Sequence, residues 1–233
     1  MHDQEVTLVE RPDGIRIVRV DHPEDADPFR ASFAGAYQDI FSEPPYNERF
    51  FPSEAQSTLH RYLQTAGHVT LFAVAGRRRV VGFGIGVPAS SKPDIARDLH
   101  GLLPVQHTFY LAELGVLEGY RGRGIGRQLI EQRLEAVDHR RYTHVVLRVS
   151  AVKNVSYNMY MNMGFDDIGV YTEVHARRIG QCERGRLGHL GLRGHLHLVP
   201  IAHPPHLAEG PHLPDDLRLP EDLRLPEDLR LPE

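Results

Sequence analysis

Apolar and polar residues alternate through GIRIVRV (14–20), the period of a strand. The interval then lengthens. After Pro23, a good residue for a helix start, Phe29, Phe33, Ala36, Tyr37, Ile40 and Phe41 recur at helical spacing. The Pro-Pro pair in SEPPYN (42–47) breaks both regular structures and predicts a loop. A second helix is predicted over 53–65, with Leu59, Tyr62 and Leu63 on one face. HVTLFAVAG (68–76) and RVVGFGIGV (79–87) read as two strands around a short Gly-Arg turn, hence a hairpin. Residues 88–106 form a variable segment. HTFYLAELGVL (107–117) predicts a long strand, and 123–138 a helix whose Ile125, Leu129, Ile130, Leu134 and Val137 share one side. THVVLRV (143–149) is a strand, 154–162 a short helix, and FDDIGVYTEVHA (165–176) one more strand. The order βααβββαβαβ predicts a mixed α/β domain around one twisted sheet.

Simple alternation along 107–117 sets Phe109, Leu111, Glu113, Gly115 and Leu117 on one face. Tyr110, Ala112, Leu114 and Val116 take the other. Glu113 is then a lone carboxylate among apolar residues. Burying it unpaired is costly, so it must find a partner, meet a cleft or hold a proton. In a cleft, desolvation would raise its pKa toward the working range of a base. Pairing with an Arg or a backbone N–H is the structural reading of the same residue.

The pattern fades near residue 177. A Gly-, His-, Arg- and Pro-rich stretch follows, then the unit LPEDLR repeats to the end. A Pro in each six-residue copy prevents a continuous helix, so 178–233 is expected to be a largely disordered tail and 1–177 the functional domain. RLGHLGLRGHLHLVP (186–200) could instead hold a last strand of the sheet. The tail histidines show no Cys/His spacing of a built metal site, so no metal is expected. A net charge of −4 gives no reason to expect nucleic acid. One Cys, Cys182, excludes an internal disulfide framework. The start has no basic region leading into an apolar core, and no run of about 18 apolar residues occurs. A cytoplasmic protein without a membrane partner is the expectation.

Chemistry concentrates at LGVLEGYRGRGIGRQLI (114–130), where a strand turns into a helix. The first amides of a helix lack internal partners and carry the positive end of its dipole, so such a joint suits phosphate. Gly122, Gly124 and Gly126 remove side chains from the approach. Arg121, Arg123 and Arg127 add mobile positive charge. No Lys-Ser or Lys-Thr follows, which argues against an NTP-hydrolysing loop. The glycine spacing is also wrong for a dinucleotide fingerprint. A tight solvated turn is the plain reading of the same glycines.

The stretch resembles the signature of the GNAT superfamily of acyl-CoA N-acyltransferases, Gln/Arg-x-x-Gly-x-Gly/Ala, here Arg121, Gly124 and Gly126. A second block resembles the family's Tyr-x-x-x-Gly-Phe, here Tyr160, Gly164 and Phe165. The likeness spans about 14–176. It implies a single GNAT-like domain: a mixed, mostly antiparallel twisted sheet flanked by about four helices. It implies acetyl-CoA as cofactor, held by Leu114, Val116, Arg121, Gly122, Arg123, Gly124, Ile125, Gly126, Arg127, Asn154 and Tyr160. The family often has Asn seven residues before the Tyr; here that place is Lys153, and Asn154 comes one residue late.

The resemblance further implies acyl transfer to an amine by direct attack, with Glu113 as base and Tyr160 as acid at the leaving thiolate. A bulge at Gly115 and Val116 would part this strand from 143–149 and free an N–H for the thioester carbonyl. Tyr37, Glu43 and Tyr46 would meet the acceptor, a small-molecule or protein amine. A homodimer is left open. A silent acyl-CoA-binding sensor is the competing function.

Overall fold

The structure, a computed structural model, describes residues 6–44, 46–150, 155–175 and 191–200. Residues 202–233, with the LPEDLR repeats, lie outside the described residues. Cys182, Lys153 and Asn154 also fall outside them.

Eight strands form one sheet. β1 (Val6–Glu10) and β2 (Ile15–Arg19) make a hairpin at one edge. Gly14 turns it with φ +75°, a conformation that glycine adopts freely. β3 (Val69–Ala75) and β4 (Arg79–Pro88) form the expected second hairpin. β5 (Thr108–Val116), β6 (His144–Ser150), β7 (Asp166–His175) and β8 (Gly191–Pro200) complete the sheet, in the order β1-β2-β3-β4-β5-β6-β8-β7. β5 and β6 are the parallel pair among these strands; the other neighbours run antiparallel. β8 lies beyond residue 177, in the segment whose sequence allowed a last strand, and it inserts between β6 and β7.

Two layers of helix cover the sheet. α1 (Arg30–Ser42), α2 (Pro52–Leu63) and the short α3 (Pro93–Asp98) pack on one face. α3 lies in the segment for which the sequence predicts no element. This face is rich in rings: the ring centres of Phe33, Tyr37 and Phe83 lie 5.0–5.6 Å from one another, with Tyr37 and Phe83 stacked and Phe33 tilted against both. Pro52 opens α2, and the Glu54 carboxylate accepts from the Phe51 N–H at 2.8 Å, closing its first turn.

α4 (Ile125–Ala136) and α5 (Val155–Asn162) pack on the other face, over an aliphatic core that includes Leu71, Leu111, Leu129, Ile130 and Leu147. The apolar stripe predicted for α4 differs at one place. Leu134 is half-buried, while Arg133, one residue earlier, is fully buried at 0% exposure. Arg133 stands four residues from Leu129 and three from Ile130, so helix geometry puts it on the core side. Among the described residues no helix is long and apolar enough to cross a membrane.

Candidate active site

The site is built around β5. Its first half is paired on both sides: Phe109, Tyr110 and Leu111 face Pro88, Val87 and Gly86 of β4, and Thr108–Leu111 face His144–Leu147 of β6. The ladder to β6 ends at Leu111↔Leu147. From Ala112 to Val116 the strand keeps only its β4 neighbour. Beyond that pair β5 and β6 are no longer partners, at the place where the family resemblance implies a slot.

The irregularity of the strand is not at Gly115 and Val116. Pairing steps from Gly86↔Leu111 to Ile85↔Glu113, so Ala112 is the extra residue of a bulge. The bulge corrects the simple alternation. Glu113 does not share a face with Phe109 and Leu111. Ala112 and Glu113 both turn to the α1/α2 side, where Tyr62 Oη donates to Glu113 Oε1 at 2.8 Å. Gly115 points the same way, since a Cβ there would lie 2.9 Å from Phe83 and 3.0 Å from Ile40. Leu114 and Val116 point to the α4 side.

Glu113 is thus not isolated. Burial pushes its pKa up to about 7, against the opposing pull of the Tyr62 hydrogen bond and the Lys92 ammonium. Lys92 Nζ lies 5.1 Å from the centre of the Tyr62 ring. Tyr37, buried among Phe41, Phe50 and Phe83, and the more exposed Tyr46 line the same side. Burial raises the pKa of both phenols, and the Glu113 charge raises them further. A neutral phenol wall beside one carboxylate can take up an ammonium group.

At the end of β5 the chain turns into α4. Gly122 (φ +72°) and Gly124 (φ +79°) have nothing within 4 Å of a built Cβ, so the approach is open. Gly124 is the N-cap and supplies no side chain to bond the first amides. Among the described residues, the first amide of this helix with a backbone acceptor is that of Gln128, to Gly124 O at 3.0 Å. The amides of 122–127, including Ile125 and Gly126, therefore form a row of donors fit for a pyrophosphate.

The three arginines differ from the expected mobile charges. Arg121 Nη1 pairs with Glu43 Oε2 at 2.6 Å, and its Nε donates to Val116 O at 2.9 Å. Arg123 donates to Gly119 O at 2.8 Å and lies over the Tyr120 ring. Arg127 pairs with Glu131 at 2.7 Å. A guanidinium carries five donors and finds acceptors locally. Glu43, expected at the acceptor, also joins the loop after α1 to this joint through that ion pair. Arg11 reaches over from the β1–β2 turn, donating to Arg123 O and to Gln128 Oε1, each at 2.6 Å.

Tyr160 on α5 is buried, its ring 5.4 Å from Phe165, and Gly164 (φ +87°) makes the turn between them. Burial raises its phenol pKa to about 12, opposed by Arg133. Sequence reasoning passed over Tyr62 and Arg133. Each had a signal: a phenol and a guanidinium placed on apolar helix faces, where each needs a buried partner.

The family model described as "Acetyltransferase (GNAT) family" matches residues 32–165, more than half of the chain. Among curated protein sequences none matches. Solved structures share the fold at low identity. A ribosomal-protein-alanine N-acetyltransferase from Brucella melitensis is 16% identical, with 79% of this chain and 99% of that one covered at a TM-score of 0.55. NAA60 of Arabidopsis thaliana in complex with acetyl-CoA is 19% identical, with 80% and 98% covered and a TM-score of 0.53. A GCN5-related N-acetyltransferase from Kribbella flavida is 18% identical, with 82% and 100% covered and a TM-score of 0.51.

Proposed function

Because the chain belongs to the GNAT acetyltransferase family, matched over residues 32–165, we propose that it transfers an acetyl group from acetyl-CoA to an amine of a small molecule or protein, by direct attack. Acetyl-CoA is the cofactor the family uses. When bound, it supplies the thioester carbonyl and the thiolate leaving group. The amides of 122–127 would hold its pyrophosphate, with Leu114 and Val116 beside the slot. The edge of β5 left without a β6 partner would offer a backbone N–H to the carbonyl oxygen.

Glu113 would take the proton of the acceptor ammonium, directly or through water. The observation that carries the reading is its setting: a carboxyl with pKa about 7, held by Tyr62, on the half of β5 that has no β6 partner. At neutral pH about half of it is free to accept. Tyr160 would return a proton to the sulfur. Tyr37 and Tyr46 would meet the acceptor from the phenol wall; Glu43 would act through Arg121.

The test has two arms. Acetyl-CoA should raise the melting temperature where ATP does not. An amine panel should then release free CoA thiol. Stabilisation with no thiol release from any amine would leave an acyl-CoA-binding sensor instead. No stabilisation by acetyl-CoA would remove both.

A further inference from the structure

Arg133 is a charged side chain with no exposed surface, laid flat on the sheet beneath α4. Three backbone carbonyls hold it. Nε donates to Leu129 O at 3.1 Å, and Nη1 donates to Ile85 O at 3.1 Å and to Glu113 O at 3.0 Å. Two of those carbonyls belong to the residue pair that restarts the β4–β5 ladder after the bulge, Ile85↔Glu113. Room for the guanidinium depends on Gly84: a Cβ there would lie 2.8 Å from Nε and 3.1 Å from Cζ. Nη2 is buried and has no hydrogen-bond partner among the described residues.

A guanidinium fixed by two of its nitrogens, with the third unspent, is costly unless that third donor faces something useful. After burial itself, Tyr160 is the strongest influence on Arg133, and Arg133 the strongest on Tyr160. Tyr46 also acts on the phenol and raises it, while Glu113 acts on the guanidinium. Tyr160, on α5, is buried in the aliphatic core of the α4 face, and Arg133 reaches onto that same face of the sheet from α4, beside Leu129 and Ile130 of that core.

We propose that Arg133 is a positioning residue for Tyr160: anchored by the bulge carbonyls, it presents Nη2 to the phenol oxygen and stabilises the negative charge that oxygen develops. This rests on the acyltransfer reading of the site. As the carbon–sulfur bond breaks, the Tyr160 O–H breaks and an S–H forms. The phenolate left behind is balanced by the guanidinium and regains its proton from water. One side chain thereby links the shape of β5, on which Glu113 sits, to the acidity of the group across the slot.

The test reads the phenol directly, in the protein without acetyl-CoA. A fluorinated tyrosine placed at 160 brings the titration into an accessible pH range, followed by fluorine NMR. Arg133→Met should raise its midpoint by about one pH unit or more, and lower kcat at least about tenfold. Arg133→Lys should raise it less, because the charge stays while the fork is lost. Gly84→Ala keeps Arg133 but pushes its guanidinium aside, and should also raise the midpoint. The last two carry the test should Arg133→Met not fold. In a Tyr160→Phe background, Arg133→Lys should cost no further kcat. An unmoved midpoint in Arg133→Lys and Gly84→Ala would overturn the proposal. So would an equal loss of kcat with and without the Tyr160 hydroxyl, which marks a purely structural prop. Absence of turnover in the wild type bears on the acyltransfer reading and leaves the phenol titration to decide Arg133.

Discussion

The two halves of β5 share one strand and behave as different materials. Phe109–Leu111 is stitched to both β4 and β6, Thr108 to β6, and all four residues are buried. Ala112–Val116 has one neighbour, partial exposure at all but Gly115, and a carboxylate in place of an aliphatic residue. The change comes at one extra residue, Ala112. A backbone paired on both sides has its donors and acceptors used up. Past the bulge, those on one edge are released, and the side-chain parity shifts so that Glu113 leaves the aliphatic face. The first half contributes stability, and the second half can take part in chemistry.

Substitutions can break or sharpen that contrast. The largest effect should come from Glu113→Gln, with kcat/KM falling roughly 10²–10⁴-fold if the carboxylate is the base. Its pH profile supplies the sign. Below about 7 the carboxyl holds its proton and cannot accept another, so the wild-type rate should fall about tenfold per pH unit on the acid side. Glu113→Gln should lose that limb. Tyr160→Phe should lower kcat by roughly 10–100-fold with KM for acetyl-CoA nearly unchanged, measured by steady-state thiol release.

Leu111→Ala, in the paired half, should cost about 2–4 kcal/mol in denaturant unfolding and leave the acid limb where it is. A moved limb would mean that the two halves are not separable. Smaller still, Tyr62→Phe removes a donor that holds the Glu113 pKa down. The limb should then move to higher pH, and the rate at neutral pH should fall by a few-fold.

Stability should follow the same titration with the opposite sense. The folded-state pKa of Glu113 is raised above its ordinary value of 4.5, so the native protein favours the protonated form. Its contribution is most favourable at low pH and is lost as pH rises through about 7. Glu113→Gln, neutral throughout, should gain in melting temperature relative to wild type between pH 5 and 8. A constant gap across that range would show that the carboxylate is not desolvated.

Much of this was legible in the chain because period and punctuation agreed. The long strand, the α4 helix and the hairpin of 68–87 each carried both a hydrophobic period and a bounding turn. β1 was not seen, because a five-residue edge strand paired on one side needs little apolar burial; Val6 is 48% exposed. The face of Glu113 was misread because a bulge leaves no mark in the strand that contains it. The nearest trace is on the partner, where glycines at 84 and 86 thin β4 opposite it. Arg133 was hidden by Leu134, a better hydrophobe one step around the helix. Only the sheet's missing Cβ at Gly84 makes room for the guanidinium.

Arg11 is bound to the carbonyl of Arg123 across a sequence separation of 112 residues, and it lies upstream of the segment 32–165 matched by the family. The donor row that opens α4 is therefore buttressed from a part of the chain that the shared family pattern does not include. A fragment trimmed to the matched residues would keep every glycine of the joint and lose its outside brace. Grip on a diphosphate would then weaken with no ligand-facing atom changed.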